Sequence, residues 1–162
     1  MTGVQTCALP ISKANKSWNL GLPFAGMKQT KTFTEPEVAH VGMYEQDAKD
    51  KGIEVETYTF KLDEVDRAIL DGEDEGFARV HIQKGSDTIL GATIVAAHAG
   101  EMIGEFSVLM KAGLGAKALA ATIHPYPTQA EANKKVVNLW RKAHFTQATR
   151  NRLVKLFAWM RR

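Results

Sequence analysis

The sequence predicts an α+β fold, an antiparallel β-sheet with helices packed on one face and further helices at the C-terminus. Three observations predict it. Short segments with strand-like alternation or β-branched content run from Val38 to Ala97. Two of them are separated only by Lys84-Gly85-Ser86-Asp87, the spacing and turn chemistry of a hairpin. Beyond Gly100 the apolar period becomes helical, so strands are followed by a run of helices, the order expected of a sheet covered by helices.

In chain order, Val38-Ala39-His40-Val41-Gly42 reads as a short strand stopped by glycine. A brief helix follows over 45–51 and ends at Gly52. Val55, Thr57, Thr59 and Lys61 alternate with Glu56, Tyr58, Phe60 and Leu62, which suits a half-buried strand. Residues 62–70 read as one short helix, and Asp71-Gly72-Glu73-Asp74-Glu75-Gly76 as an acidic turn. Strands are expected over 77–83 and 88–97. A helix over 101–112 places Ile103, Phe106, Leu109 and Met110 on one stripe. Gly113 and Gly115 stop it, and 117–121 reads as a short turn. After Pro127, Thr128 is expected to cap a helix over 129–140, with Glu131 completing a capping box. A last helix is expected over 147–160.

Composition narrows the function classes. A chain of 162 residues with 44% hydrophobic and 24% charged residues suits one globular domain. No apolar run approaches the ~18 residues of a membrane span, and no secretory signal pattern is present. The single cysteine, Cys7, rules out a disulfide framework or a redox dithiol within the sequence, and a cytoplasmic, reducing compartment is the default. His40, His81, His98 and His144 share no metal-ligand spacing and read as strand or surface histidines, so no metal site is expected. Gly113-Leu114-Gly115 lacks the preceding strand and third glycine of a dinucleotide fingerprint. The net charge of +3 hides an asymmetry. Nine of the 21 lysines and arginines follow Glu131 and no acid does, which leaves residues 1–131 with 12 basic against 18 acidic groups, or −6.

Three regions follow. Residues 1–31 are a non-native leader or disordered terminus (1–12, similar to a translated sequencing-adaptor remnant) joined to a remnant of another domain that carries Trp18, Leu20, Leu22 and Phe24. Residues 32–145 are the folded domain, and 146–162 a basic amphipathic helix.

Three segments in order carry a family resemblance: Phe33-Thr34-Glu35-Pro36-Glu37-Val38-Ala39-His40-Val41-Gly42; Ile89-Leu90-Gly91-Ala92-Thr93-Ile94-Val95 with Ala99-Gly100-Glu101-Met102-Ile103; and His124-Pro125-Tyr126-Pro127-Thr128-Gln129-Ala130-Glu131. Together they resemble the C-terminal dimerisation domain of the pyridine nucleotide-disulfide oxidoreductases, the group of lipoamide dehydrogenase, glutathione reductase and mercuric reductase. The resemblance implies FAD and NAD(P) in a parent enzyme, bound by upstream domains and not by this chain alone, and it implies a homodimer. It also implies that the third segment enters the partner subunit's active site. There the family motif His-x-His-Pro-Thr-x-x-Glu supplies a histidine, held by the glutamate, as acid/base partner of the redox dithiol.

By this resemblance the candidate catalytic residues are Tyr126, Glu131 and His124, and Tyr126 and Pro127, joined by a cis peptide, would face the partner's flavin. The sequence departs from the motif at Tyr126, which stands where the catalytic histidine is expected; His124 fills the first, non-catalytic position. A phenol, with a reference pKa near ~10, is a poor proton shuttle at neutral pH. Mercuric reductases also place a tyrosine here, but they end in a cysteine pair where this chain reads Trp159-Met160-Arg161-Arg162. The resemblance is thus to mercuric reductase-like flavoproteins, and it argues against the lipoamide-type reaction.

The competing reading is a free-standing interaction domain whose helix 147–162 lies on a membrane surface. That helix sets Leu153, Leu156, Phe157 and Met160 on one side and Arg150, Arg152 and Lys155 elsewhere. Nucleic acid is not an expected partner, because the body is net acidic.

Overall fold

The computed structural model describes residues 29–32 and 34–161. Cys7, Trp18, Leu20, Leu22, Phe24, Phe33 and Arg162, with the leader expected over 1–12 and residues 13–28 of the expected remnant, lie outside the described residues.

The elements are β1 (Gln29–Thr32), β2 (Glu37–Gly42), α1 (Glu45–Asp50), β3 (Val55–Lys61), a 3-10 turn (Leu62–Glu64), α2 (Asp66–Asp71), β4 (Phe77–Gln83), β5 (Ile89–Ala96), α3 (Ala99–Lys111), α4 (Ala116–Ala121), α5 (Glu131–Ala143) and α6 (Gln147–Met160). The strands form a five-stranded sheet in the order β1-β2-β5-β4-β3, with every neighbouring pair antiparallel. The α+β architecture read from the sequence is the architecture found.

The alternation within each strand decides which face is buried. Ala39, Ile94, Ala78 and Phe60 stand opposite one another across β2, β5, β4 and β3, as do Val41, Ala92, Val80 and Tyr58. This face receives the helices: α3 lies on β2 and β5, and α5 on β3 and β4. From α3 it buries Met102, Ile103, Phe106, Leu109 and Met110, and from α5 Val136, Val137 and Trp140. Together these side chains form one apolar cluster, the main source of stability in a chain of this size.

The opposite face is mixed, with Val38, Val95 and Phe77 forming an apolar row beside polar ones. His40, Thr93, Arg79 and Thr59 share one cross-strand row, and Gly91, His81 and Thr57 the next. His40 and His81 are nevertheless buried. The His40 ring is stacked on Tyr44 with 3.6 Å between centroids. Its Nε2 is 3.2 Å from the Gly42 carbonyl, which only accepts, so Nε2 carries the proton and Nδ1 is left to accept from the Thr93 hydroxyl at 2.8 Å. Burial holds both histidines below the usual imidazole pKa, and His40 lowers His81 further.

Two of the recognisable segments meet through a glycine and a carboxylate. Gly91 packs so closely on the backbone of Met43 that a Cβ there would overlap the Met43 carbonyl oxygen. Glu37, in the first segment, accepts a hydrogen bond from the Gly100 amide at 2.9 Å, which places a negative charge on the first turn of α3.

Four local expectations are corrected. β1 pairs with β2 in the polar stretch before residue 33, which up to residue 31 was expected to be a remnant of another domain. An edge strand needs only backbone pairing, so Gln-Thr-Lys-Thr carries no apolar alternation to announce it. Residues 62–70 are not one helix, because Val65 is extended (φ −110°, ψ 113°) and buried, and it divides the 3-10 turn from α2. The segment expected as a turn over 117–121 is the helix α4, set by the Ala116 amide donating to the Asp87 carbonyl at 2.7 Å. Thr128 does not cap α5: its hydroxyl donates to the Pro125 carbonyl at 2.8 Å, and the N-cap position falls on Ala130.

Candidate functional site

The third segment forms the loop between α4 and α5, from Thr122 to Ala130. Two of its side chains point inward and hold it. His124 packs its ring into the protein, with Nε2 2.9 Å from Glu105 Oε1 on α3. A carboxylate only accepts, so Nε2 carries the proton in this contact. The other Glu105 oxygen accepts from Asn133 Nδ2 at 2.9 Å, and the same amide donates to the Met102 carbonyl, also at 2.9 Å. At the far end of the loop, the buried Gln129 donates to Glu73 at 3.0 Å. Lys134 reaches back from α5 to the Thr122 carbonyl at 2.7 Å. The loop is thus tied to α3, α5 and the acidic turn before β4.

Between these anchors the chain turns outward. Tyr126 is 70% exposed and Ile123 90%. The Tyr126-Pro127 peptide is cis, as the resemblance implies. The Tyr126 hydroxyl donates to Asp66 Oδ2 at 2.7 Å, at the start of α2. Asp66, and at longer range Glu131, hold the phenol above its ordinary pKa, because ionising it beside a carboxylate is unfavourable. At neutral pH Tyr126 is therefore a hydrogen-bond donor.

The structure brings Tyr126, Pro127 and His124 onto one loop but gives them separate neighbours. Glu131 faces Lys135 at 3.7 Å, one helical turn along α5. The partner of Tyr126 is Asp66, sixty residues earlier in sequence. Sequence reading missed Asp66, Glu105 and Asn133. For Asn133 a signal existed: a polar residue within the stripe Ala132, Val136, Val137, Trp140 of an amphipathic helix must find a buried partner. Asp66 and Glu105 carried none, since only the folded chain brings them near the loop.

Pro127, Thr128 and Gln129 also line a shallow, open concavity with Arg67, Asp71 and Glu101. Its one arginine is already spent on Asp71 at 2.7 Å. His98 also lines it but faces Glu73 at 3.9 Å, and with Asp71 and Glu101 in the lining these surroundings do not suit a dinucleotide pyrophosphate, which needs amide or cationic partners. We assign no FAD- or NAD(P)-binding group to them. Among the described residues, no three His, Cys, Asp or Glu side chains are grouped to hold a metal ion.

The family model of the pyridine nucleotide-disulphide oxidoreductase dimerisation domain matches residues 29–137, from the first strand into α5. A dihydrolipoyl dehydrogenase of Geobacillus stearothermophilus is 38% identical over 99 residues, 61% of this chain and 21% of that protein. A mercuric reductase of Bacillus cereus is 41% identical over 106 residues, 65% of this chain and 17% of that protein. The chain thus spans about a fifth of the length of these relatives. Among solved structures, the HOCl-induced flavoprotein disulfide reductase RclA of Escherichia coli superposes with a TM-score of 0.67 at 24% identity, covering 70% of this chain and 26% of that one. LpdA of Mycobacterium tuberculosis gives 0.65 at 22% identity, covering 70% and 25%. At such identities these two bear on the fold alone. The chain belongs to the pyridine nucleotide-disulphide oxidoreductase family, whose dimerisation domain it carries in residues 29–137.

Proposed function

We propose that this chain is the interface portion of a cytoplasmic homodimeric flavoenzyme that passes electrons from NAD(P)H through FAD, and that it lends the loop 122–130 to the partner subunit's active site. The observation that carries the reading is the loop's construction. Its interior side chains, His124 and Gln129, are fastened, while Tyr126 and Ile123 are held out to solvent. Large apolar surface held outward on a fastened frame suits contact with a second surface. A second feature supports it. Of the five buried side-chain polar atoms without a hydrogen-bond partner among the described residues, His124 Nδ1, Gln129 Oε1 and Asn133 Oδ1 all lie at the base of this loop. Unanswered buried polar groups concentrate where a structure is functional or completed by something else.

In this reading FAD and NAD(P) belong to upstream domains and supply the hydride and electron chemistry. The chain's own contribution is to bury an interface and to present Tyr126 as a fixed donor at its rim. Glu131 modulates that phenol electrostatically. His124 positions the loop through Glu105 and does not meet substrate. Because the Asp66 carboxylate holds the phenol above its ordinary pKa, the acid/base role of the family's histidine is not assigned to Tyr126.

The test places a photo-crosslinking benzoylphenylalanine at position 126 of the protein with its upstream flavin and nucleotide domains. Irradiating a mixture of tagged and untagged subunits is expected to yield covalent dimers joined through position 126. Crosslinks confined to single subunits would refute donation of the loop.

A further inference from the structure

Helix α6 lies beyond the family match, which ends at residue 137, and the dimerisation domain does not account for it. It is well begun: Thr146 caps it by accepting from the Thr149 amide at 3.3 Å. It is also uncovered. Leu153 is 37% exposed, Leu156 46%, Phe157 52%, Met160 65% and Trp159 73%. At about 100° per residue, Leu153, Leu156, Phe157 and Met160 fall within one arc of roughly a quarter-turn. Arg150 and Arg161 border that arc on one side and Arg152 on the other, with Trp159 beside Arg152 and Lys155 farther round. No acidic residue follows Glu131.

We propose that α6 is an in-plane anchor for an anionic lipid surface, independent of the loop 122–130. The apolar arc enters the boundary between headgroups and acyl chains. The bordering arginines reach to lipid phosphates, and Trp159 sits at headgroup depth, where indoles are favoured. Charge decides between occupants. A second copy of α6 would meet the apolar arc but would set cationic helices against each other without a carboxylate between them. A nucleic acid would satisfy the cations and leave the apolar arc in water. An anionic bilayer answers both. Residues 1–131, at net −6, are repelled by the same surface, so the contact is confined to the helix and the body stands away from the bilayer. No helix among the described residues is long and apolar enough to cross a membrane, so the helix lies on the surface.

The experiment floats the full chain with vesicles of phosphatidylcholine containing 30% phosphatidylglycerol, and with pure phosphatidylcholine. Binding to the anionic vesicles is expected, with a blue shift of tryptophan emission that W159F removes. The double variant R150Q/R152Q is expected to partition about 25-fold more weakly at low salt, about fivefold per charge removed. The variant L156D/F157D is expected to lose binding while melting like the parent, since both side chains are exposed. Three results would overturn the proposal: no flotation with anionic vesicles; full binding by L156D/F157D, which makes the helix a mere polycation that duplex DNA would retain equally; or a parent oligomer that L156D/F157D dissociates without any vesicle affinity, which makes a second copy the occupant.

Discussion

Helices α5 and α6 are neighbours of nearly equal length, 13 and 14 residues, and both are rich in cations and apolar side chains. One is half of a core and the other faces solvent. α5 buries Val136, Val137 and Trp140 against β3 and β4, whereas α6 leaves Leu156, Phe157 and Trp159 open. The family match ends within α5, close to where tertiary packing ends. A helical stripe in a sequence states that a side wants covering. It does not state what covers it.

Several substitutions would break or sharpen this contrast. The largest effect is expected at Trp140, only 5% exposed: W140A should cost about 3–5 kcal/mol in urea unfolding, as large core truncations do. A loss under about 1 kcal/mol would mean that α5 is no better packed than α6. Next comes the buried amide that ties α5 to α3. N133A removes hydrogen bonds to Met102 and to the Glu105 carboxylate that also meets His124, and should cost about 1–3 kcal/mol. Hydrogen exchange of the amides of residues 122–130 should quicken with it, and unchanged protection there would show that the loop does not depend on this tie. At the small end, W159A should change stability by no more than about 0.5 kcal/mol, because its side chain leaves no cavity.

The two sheet faces offer a parallel contrast, read by pH. His40 and His81 are folded in their neutral form, with pKa values lowered by burial. The unfolded chain therefore binds protons first as the pH falls, so the stability these residues contribute is complete above the unfolded value of about 6.5 and is lost progressively below it. Asp47 and Glu45, from α1, oppose the shift without reversing it. Urea midpoints between pH 7.5 and 5 should fall more steeply for the parent than for H40Q/H81Q. Parallel profiles would show that these rings are not held neutral.

What the sequence disclosed follows the same division between local pattern and long-range contact. The β4–β5 hairpin was legible because its turn and both alternations lie within twenty residues, and α3 because its stripe repeats over three turns. β1 was not, since its evidence is pairing with β2 alone. Thr128 satisfied the capping-box spacing, yet the loop's own turn claimed its hydroxyl. At the site, the octet His124–Glu131 identified the family and the loop. The partners that fix the chemistry, Asp66 for Tyr126 and Glu105 for His124, lie on other elements and were invisible to any local rule. They turn the family's implied pairing of positions 126 and 131 into two separate contacts, one on Asp66 and one on Lys135.

The claim on which the rest stands is that the domain over residues 29–137 makes a dimer. Sedimentation equilibrium of the chain in detergent- and lipid-free buffer measures it most directly. A species of twice the 17.9 kDa chain mass, retained by L156D/F157D, is the predicted result. A single species at 17.9 kDa over the whole accessible concentration range would contradict it.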